Sequence, residues 1–159
     1  SFPTHEIISF ADSLKRSVLP GCTFVFNNAL LEYLKEYKGK IIVHDWIIYL
    51  IAKAVGEIVY DKEPHILYRL HGGNTCGIEN GVRGLGKQIK RFIENKTPCA
   101  RSQVAHDILC FKNQMSVENI LLAENFSNYR NSFKSTLYLL KYKEYRKIRF
   151  LFMLILKRI

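Results

Sequence analysis

Most of the chain's nine glycines fall within residues 72–86, and so glycine-rich a stretch sustains neither a helix nor a strand. It reads as a loop that splits the chain into two blocks of different pattern. Ahead of it, residues 4–18 suit a short helix with Ile7, Ile8, Ala11 and Leu14 on one side, closed by Pro20-Gly21. Residues 22–26 form an apolar, aromatic and β-branched run that predicts a buried strand. Asn27 or Asn28 then caps a helix bearing Leu30, Leu31 and Leu34, which ends around Gly39. A second helix is expected from about Asp45 to Val55, stopped by Gly56. Two strand-like runs follow at residues 58–60 and 65–71, with Lys62-Glu63-Pro64 between them. Behind the loop, residues 88–94, 102–126 and 129 onward all suit helices, with Val104, Ile108, Phe111 and Met115 near a 3.6-residue period. The fold class expected is α+β with a mainly helical C-terminal region.

Charge follows the same division. Residues 1–82 carry eight Lys/Arg against nine Asp/Glu, whereas residues 83–159 carry sixteen against five and so hold the whole net excess of +10. We therefore expect a nearly neutral unit over 1–82 and a basic helical region over 83–159. The basic half suits a polyanionic surface, either an anionic membrane leaflet or nucleic acid. With 48% hydrophobic and 24% charged residues over 159 positions, the chain is globular, not disordered, and sized for one domain. Its start at Ser1, without Met, suggests either an excised fragment or processing. Cys22, Cys76, Cys99 and Cys110 show no metal-site spacing, and their apolar surroundings suggest reduced, packed thiols in the cytoplasm. No apolar run approaches the ~20 residues that span a bilayer. Residues 138–159 mix Tyr, Leu, Phe and Lys/Arg. Such a segment either lies on an anionic leaflet at the inner face of the membrane or packs its apolar side on the helices before it.

Three short segments carry chemistry: Gly21-Cys22-Thr23-Phe24-Val25-Phe26-Asn27, His44-Asp45-Trp46, and Tyr68-Arg69-Leu70-His71-Gly72-Gly73-Asn74. In this order and spacing they resemble the second half of the catalytic domain of family-2 glycosyltransferases, especially bacterial rhamnosyl- and galactosyltransferases of surface polysaccharides. The resemblance covers about residues 15–77. It implies the acceptor-side part of an A-type fold, a mixed sheet flanked by helices. It also implies an inverting transfer from a nucleotide-diphosphate sugar, assisted by a divalent cation such as Mn²⁺ or Mg²⁺, to a glycan or lipid-linked acceptor.

The resemblance makes Asp45 the catalytic base that takes the acceptor hydroxyl's proton. On spacing alone Asp45 reads as a helix cap, and the two roles are compatible. His71 aligns with a histidine near the metal and the donor diphosphate, where an imidazole can complete a cation's shell; otherwise it simply ends a strand. Gly21 and Thr23 align with a loop shaping the sugar pocket, or form an ordinary turn. Trp46 either stacks on a sugar ring or belongs to the core. Arg69 pairs with phosphate or with an acid of the fold. His44 stands on the substrate side where many relatives carry Glu.

The family's cation-holding Asp-x-Asp is absent from all 159 residues. The expectation is that the chain follows the donor site, holds no cation of its own and transfers no sugar alone. Loss of a preceding half would expose apolar surface and sheet edge and favour homo-oligomers. The alternative is a basic helical module that binds nucleic acid or a protein partner without catalysis. Nucleic acid is the weaker of these, because no helix-turn-helix, zinc-finger or RNP-type signature is present.

Overall fold

A computed structural model describes residues 7–16, 19–63, 65–67 and 100–146. The chain divides into two compact units, Ser1–Tyr60 with Pro98–Ile159, and Asp61–Thr97. The boundary expected at residue 82 falls outside the described residues.

In the first unit the elements are α1 (Phe10–Ser13), a 3-10 turn (Gly21–Thr23), α2 (Asn28–Glu36), α3 (His44–Val55), α4 (Ala100–Asp107), a 3-10 segment (Ile108–Gln114), α5 (Val117–Asn128) and α6 (Phe133–Leu139). Polar caps set the starts of four helices. Ser9, Asn27, Ser116 and Ser132 each accept a hydrogen bond from the backbone N–H three residues on, meeting a donor that the helix itself cannot satisfy. The long helix expected over 102–126 is broken. Phe111 leaves helical geometry (φ −98°, ψ 17°), the last 3-10 turn closes with Met115 N–H donating to Lys112 O, and Ser116 restarts the chain as α5.

α3 is the centre of the unit. Trp46, Ile47, Tyr49, Leu50, Ile51 and Ala54 are all buried, more than one apolar stripe, so it needs neighbours on several sides. α1, α2 and the 3-10 segment of 108–114 pack on it. α4 packs on α5, and α5 on α6. One core runs from Phe10 and Leu14 through Leu50 and Ile51 to Phe126, Leu139 and Tyr145.

The two ends of the described chain meet in that core. Tyr145 Oη donates to Ala11 O at 2.8 Å, Lys15 Nζ donates to Glu144 O at 2.8 Å, and Ser9 Oγ donates to Glu144 Oε1 at 2.8 Å. The first part of the basic 138–159 segment is therefore packed: Tyr145 is buried, and Tyr138, Leu140 and Tyr142 lie against the core. Its remainder, 147–159, lies outside the described residues.

The expected α+β class, with a sheet of the A-type fold, is corrected: among the described residues the chain is helical and holds no strand. Residues 24–27 and 57–60 are not helical, yet Val25 is 100% and Val59 90% exposed. A β-branched apolar run becomes a strand only when a neighbour accepts its backbone hydrogen bonds. Residues 22–26 begin instead as a 3-10 turn whose Phe24 N–H donates back to Gly21 O. Residues 65–67 form no strand either, and 68–71 lie outside the described residues.

Candidate functional site

Asp45 is the second residue of α3 and the residue before the helix, Val43, supplies no side-chain cap. A carboxylate in this first turn faces the positive end of the peptide dipoles. It does not act as the helix cap. It reaches across to the 3-10 turn, where Gly21 N–H donates to Asp45 Oδ2 at 2.8 Å. A Cβ on Gly21 would stand 2.8 Å from Asp45 Oδ1 and 2.9 Å from Asp45 Cγ, so any side chain there would push the carboxylate aside.

The two carboxylate oxygens differ. Oδ2 is held by Gly21. Oδ1 is sealed from solvent and accepts no hydrogen bond. His44 Nε2 lies against Oδ1 within ion-pair range, a pairing of charges only if the imidazole is protonated. The His44 side chain is 78% exposed and that of Asp45 only 19%. An uncompensated buried acceptor normally costs stability, and in native proteins such a group calls for a reason.

Around this couple the expected site residues separate. Thr23 is exposed and its hydroxyl donates to Pro20 O at 2.8 Å, within its own turn. Trp46 is a core residue, 4% exposed, with its indole N–H donating to Ser13 O at 2.5 Å. Phe24 packs near Tyr49 (ring centroids 6.4 Å apart), which lays the 21–26 segment along α3. Arg69 and His71 lie outside the described residues. Thus the first two motifs, 24 positions apart, join through Gly21 and Asp45. Cys22 and Cys110 are free, as expected, but exposed instead of packed; Cys76 and Cys99 lie outside the described residues.

No group of three or more His, Cys, Asp or Glu side chains among the described residues is placed to hold a metal ion. Likewise, no helix among them is long and apolar enough to cross a membrane.

A second carboxylate escaped the sequence reading. Asp107, the last residue of α4, accepts from Lys40 N–H (Oδ2, 2.8 Å) and from Gln103 Nε2 (Oδ1, 2.7 Å), with His106 Nδ1 3.6 Å from Oδ1. A Cβ on Gly39 would overlap Asp107 Cβ and stand 2.5 Å from Tyr37 Cζ and Oη. Burial, with the charge of Asp107 adding to it, pushes the Tyr37 hydroxyl well above its usual range. The sequence carried no signal for this site, since Asp107 falls inside the helix expected over 102–126. No family model, no curated protein and no solved structure matches this chain.

Proposed function

We propose that this chain supplies the acceptor-side carboxylate of an inverting glycosyl transfer, with Asp45 as the base. The observation that supports this reading is the Gly21–Asp45 couple. Two segments picked out by their resemblance to family-2 glycosyltransferases meet, and a backbone N–H fixes one oxygen of the expected base while the other, with His44 Nε2 against it, accepts no hydrogen bond.

In this reading Oδ1 takes the proton of an acceptor hydroxyl as that oxygen attacks the anomeric carbon. The bond to the nucleotide diphosphate breaks on the opposite face, which inverts the centre. A fixed base of this kind contributes about 10²–10⁴-fold to rate. The donor is a nucleotide-diphosphate sugar, and the acceptor is a glycan or a lipid-linked glycan. Transfer to a lipid-linked acceptor places the protein in the cytoplasm, in peripheral contact with the inner face of the membrane. No step is assigned to a divalent cation.

The other reading is a helical module that binds a partner without chemistry. The exposed side chains of Val25, Ile41 and Val59 favour an apolar partner or a second copy over nucleic acid.

The deciding experiment is Asp45→Asn in the protein as its gene encodes it. Label would be followed from nucleotide-diphosphate hexoses into lipid and polysaccharide fractions. We expect transfer to fall by about 10²–10⁴-fold with the fold intact; transfer at the original rate would leave the partner-binding reading in its place.

A further inference from the structure

We infer that α6 is the surface by which this protein lies against an anionic lipid leaflet. Phe133 and Leu137 enter the acyl boundary, while Lys134, Lys141, Lys143 and Arg146 meet the headgroup phosphates. The use of this contact in transfer rests on the peripheral, lipid-linked reading above, whereas the lipid contact itself does not need Asp45.

The shape of the surface comes from one short helix. Phe133 and Leu137 stand one turn apart on α6, and they are 77% and 50% exposed. Ser135 and Leu139, which lie roughly opposite them at helical spacing, are buried. The helix is thus fixed to its unit by one face and presents apolar side chains on the other, where no described residue covers them. Lys134 stands beside this ridge and Lys141 one turn past Leu137, both exposed. Lys141 Nζ sits 5.0 Å from the centre of the Tyr138 ring, which holds the cation at the edge of the helix. Lysine stems of this kind lie along apolar surface and carry their ammonium groups out to phosphates.

Charge selects the occupant. From residue 129 to 146 the chain carries Arg130, Lys134, Lys141, Lys143 and Arg146 against a single acid, Glu144. That acid is turned toward α1, where it accepts from Ser9 Oγ at 2.8 Å. Lys15, Arg16 and Lys35 are neutralised by neighbouring carboxylates. Lys134, Lys141, Lys143 and Arg146 make no ion pair among the described residues, so their field stands uncancelled beside the apolar ridge. A second copy would bring the same positive charge to the same face and be repelled. Nucleic acid offers phosphates but gives Leu137 nothing to enter, since its apolar contacts are made by stacking on aromatic rings. An anionic leaflet supplies phosphates and an apolar layer together. Val117 and Leu121 are likewise exposed one turn apart on α5, but Glu118 and Glu124 flank them, and such a face is unsuited to anionic lipid.

Sedimentation with lipid vesicles tests the surface. The unaltered 159-residue chain is mixed with vesicles of phosphatidylcholine alone, or of equal parts phosphatidylcholine and phosphatidylglycerol. We expect it to bind the anionic vesicles, to bind the neutral ones far less, and to lose binding as salt is added. Phe133→Ser combined with Leu137→Ser should weaken binding by about 10-fold or more, and Lys134→Gln by about 5-fold. Val117→Ser combined with Leu121→Ser removes similar apolar surface from α5 and should bind like the unaltered chain. A second readout keeps an aromatic ring in place: Phe133→Trp adds an exposed indole to the buried Trp46. Its emission should move to shorter wavelength when anionic vesicles are added. The inference is overturned if the Phe133/Leu137 double variant binds as well as the unaltered chain, which would put the contact elsewhere, or if the Phe133→Trp emission stays unmoved. Binding to double-stranded DNA but not to vesicles overturns it too. Vesicle binding through α6 together with sugar transfer undisturbed by Asp45→Asn would remove the base and keep this surface.

Discussion

Asp45 and Asp107 are built with the same device and end in different states. Each carboxylate lies close to a glycine, and each accepts a backbone N–H at 2.8 Å, from Gly21 and Lys40 respectively. Each is mostly buried, with 19% and 14% of the side chain exposed. Asp107, however, stands where α4 runs on in helical geometry into the 3-10 segment of 108–114, and both of its oxygens receive hydrogen bonds. Asp45 stands in the first turn of α3, where the dipole favours it, and one oxygen receives none. An acid inside a helical run depends on direct hydrogen bonds, whereas one in a helix's first turn draws on the dipole as well. The place of the acid along its helix therefore separates the tie between the α2–α3 loop and α4 from the candidate site.

A first contrast comes from removing each acid. Asp107→Ala removes two hydrogen bonds and opens the tie between the α2–α3 loop and α4. Both donors are exposed, so water replaces the lost acceptor, and we expect a loss of about 1–2 kcal/mol. Asp45→Ala strands only the Gly21 N–H, in a turn that is partly open to water, and removes an acceptor that was already half unused. A loss of about 1 kcal/mol or less is expected. Urea unfolding of both variants measures the difference, and equal losses would mean that the open oxygen of Asp45 is not a real asymmetry.

A second contrast comes from the glycines. A methyl group on Gly39 would meet Asp107 Cβ and the Tyr37 ring, both held in the packed core, so Gly39→Ala should cost about 1–3 kcal/mol. On Gly21 the same methyl meets the end of a side chain, which can turn away. Gly21→Ala should cost less than about 1 kcal/mol in thermal unfolding yet displace the Asp45 carboxylate. Its NMR signature is a shift of the Gly21 amide resonance, which reports loss of the hydrogen bond to Asp45 Oδ2.

Part of this was readable in the chain. The limits of α3 at Asp45 and Val55–Gly56 and the Asn27 cap are local signals, set by residues within one turn of each other, and they hold. The Ser116 break escaped because an apolar period running through Phe111 and Met115 reads on as one helix, although the chain kinks at Phe111. The strand expected at 22–26 failed for a different reason: Val25 and Phe26 have strand character, but pairing is a property of the neighbours and not of the run. At the site, the segments holding Gly21 and Asp45 were both singled out by resemblance, yet nothing in either predicts that they touch. Gly39 and Asp107 were invisible as a pair because 67 residues separate Lys40 from the acid it bonds, and no period or motif spans that distance.

The smallest expected effect concerns Asp12, a third buried carboxylate that tests whether the donors' chemistry matters. Asp12 is held by cations, Lys15 Nζ at 2.5 Å and Arg16 Nη2 at 2.7 Å. Burial pushes its carboxyl up, but the hydrogen bonds and charges of Lys15 and Arg16 together outweigh burial and leave it below the usual carboxylate value. Because the folded-state value is depressed, the stabilisation is present above the unfolded carboxylate range and lost as pH falls through the folded one. Thermal unfolding should therefore show an acid-side loss that Asp12→Asn removes, worth no more than about 1 kcal/mol, since Arg16 is half exposed. Added salt should weaken the Asp12 contribution, because its partners are charges. It should leave that of Asp107 nearly unchanged, because an amide N–H and a glutamine side chain are not screened in the same way. If salt weakens both alike, the Asp107 tie depends on the nearby His106 charge, and the contrast with Asp45 narrows to one of imidazole placement.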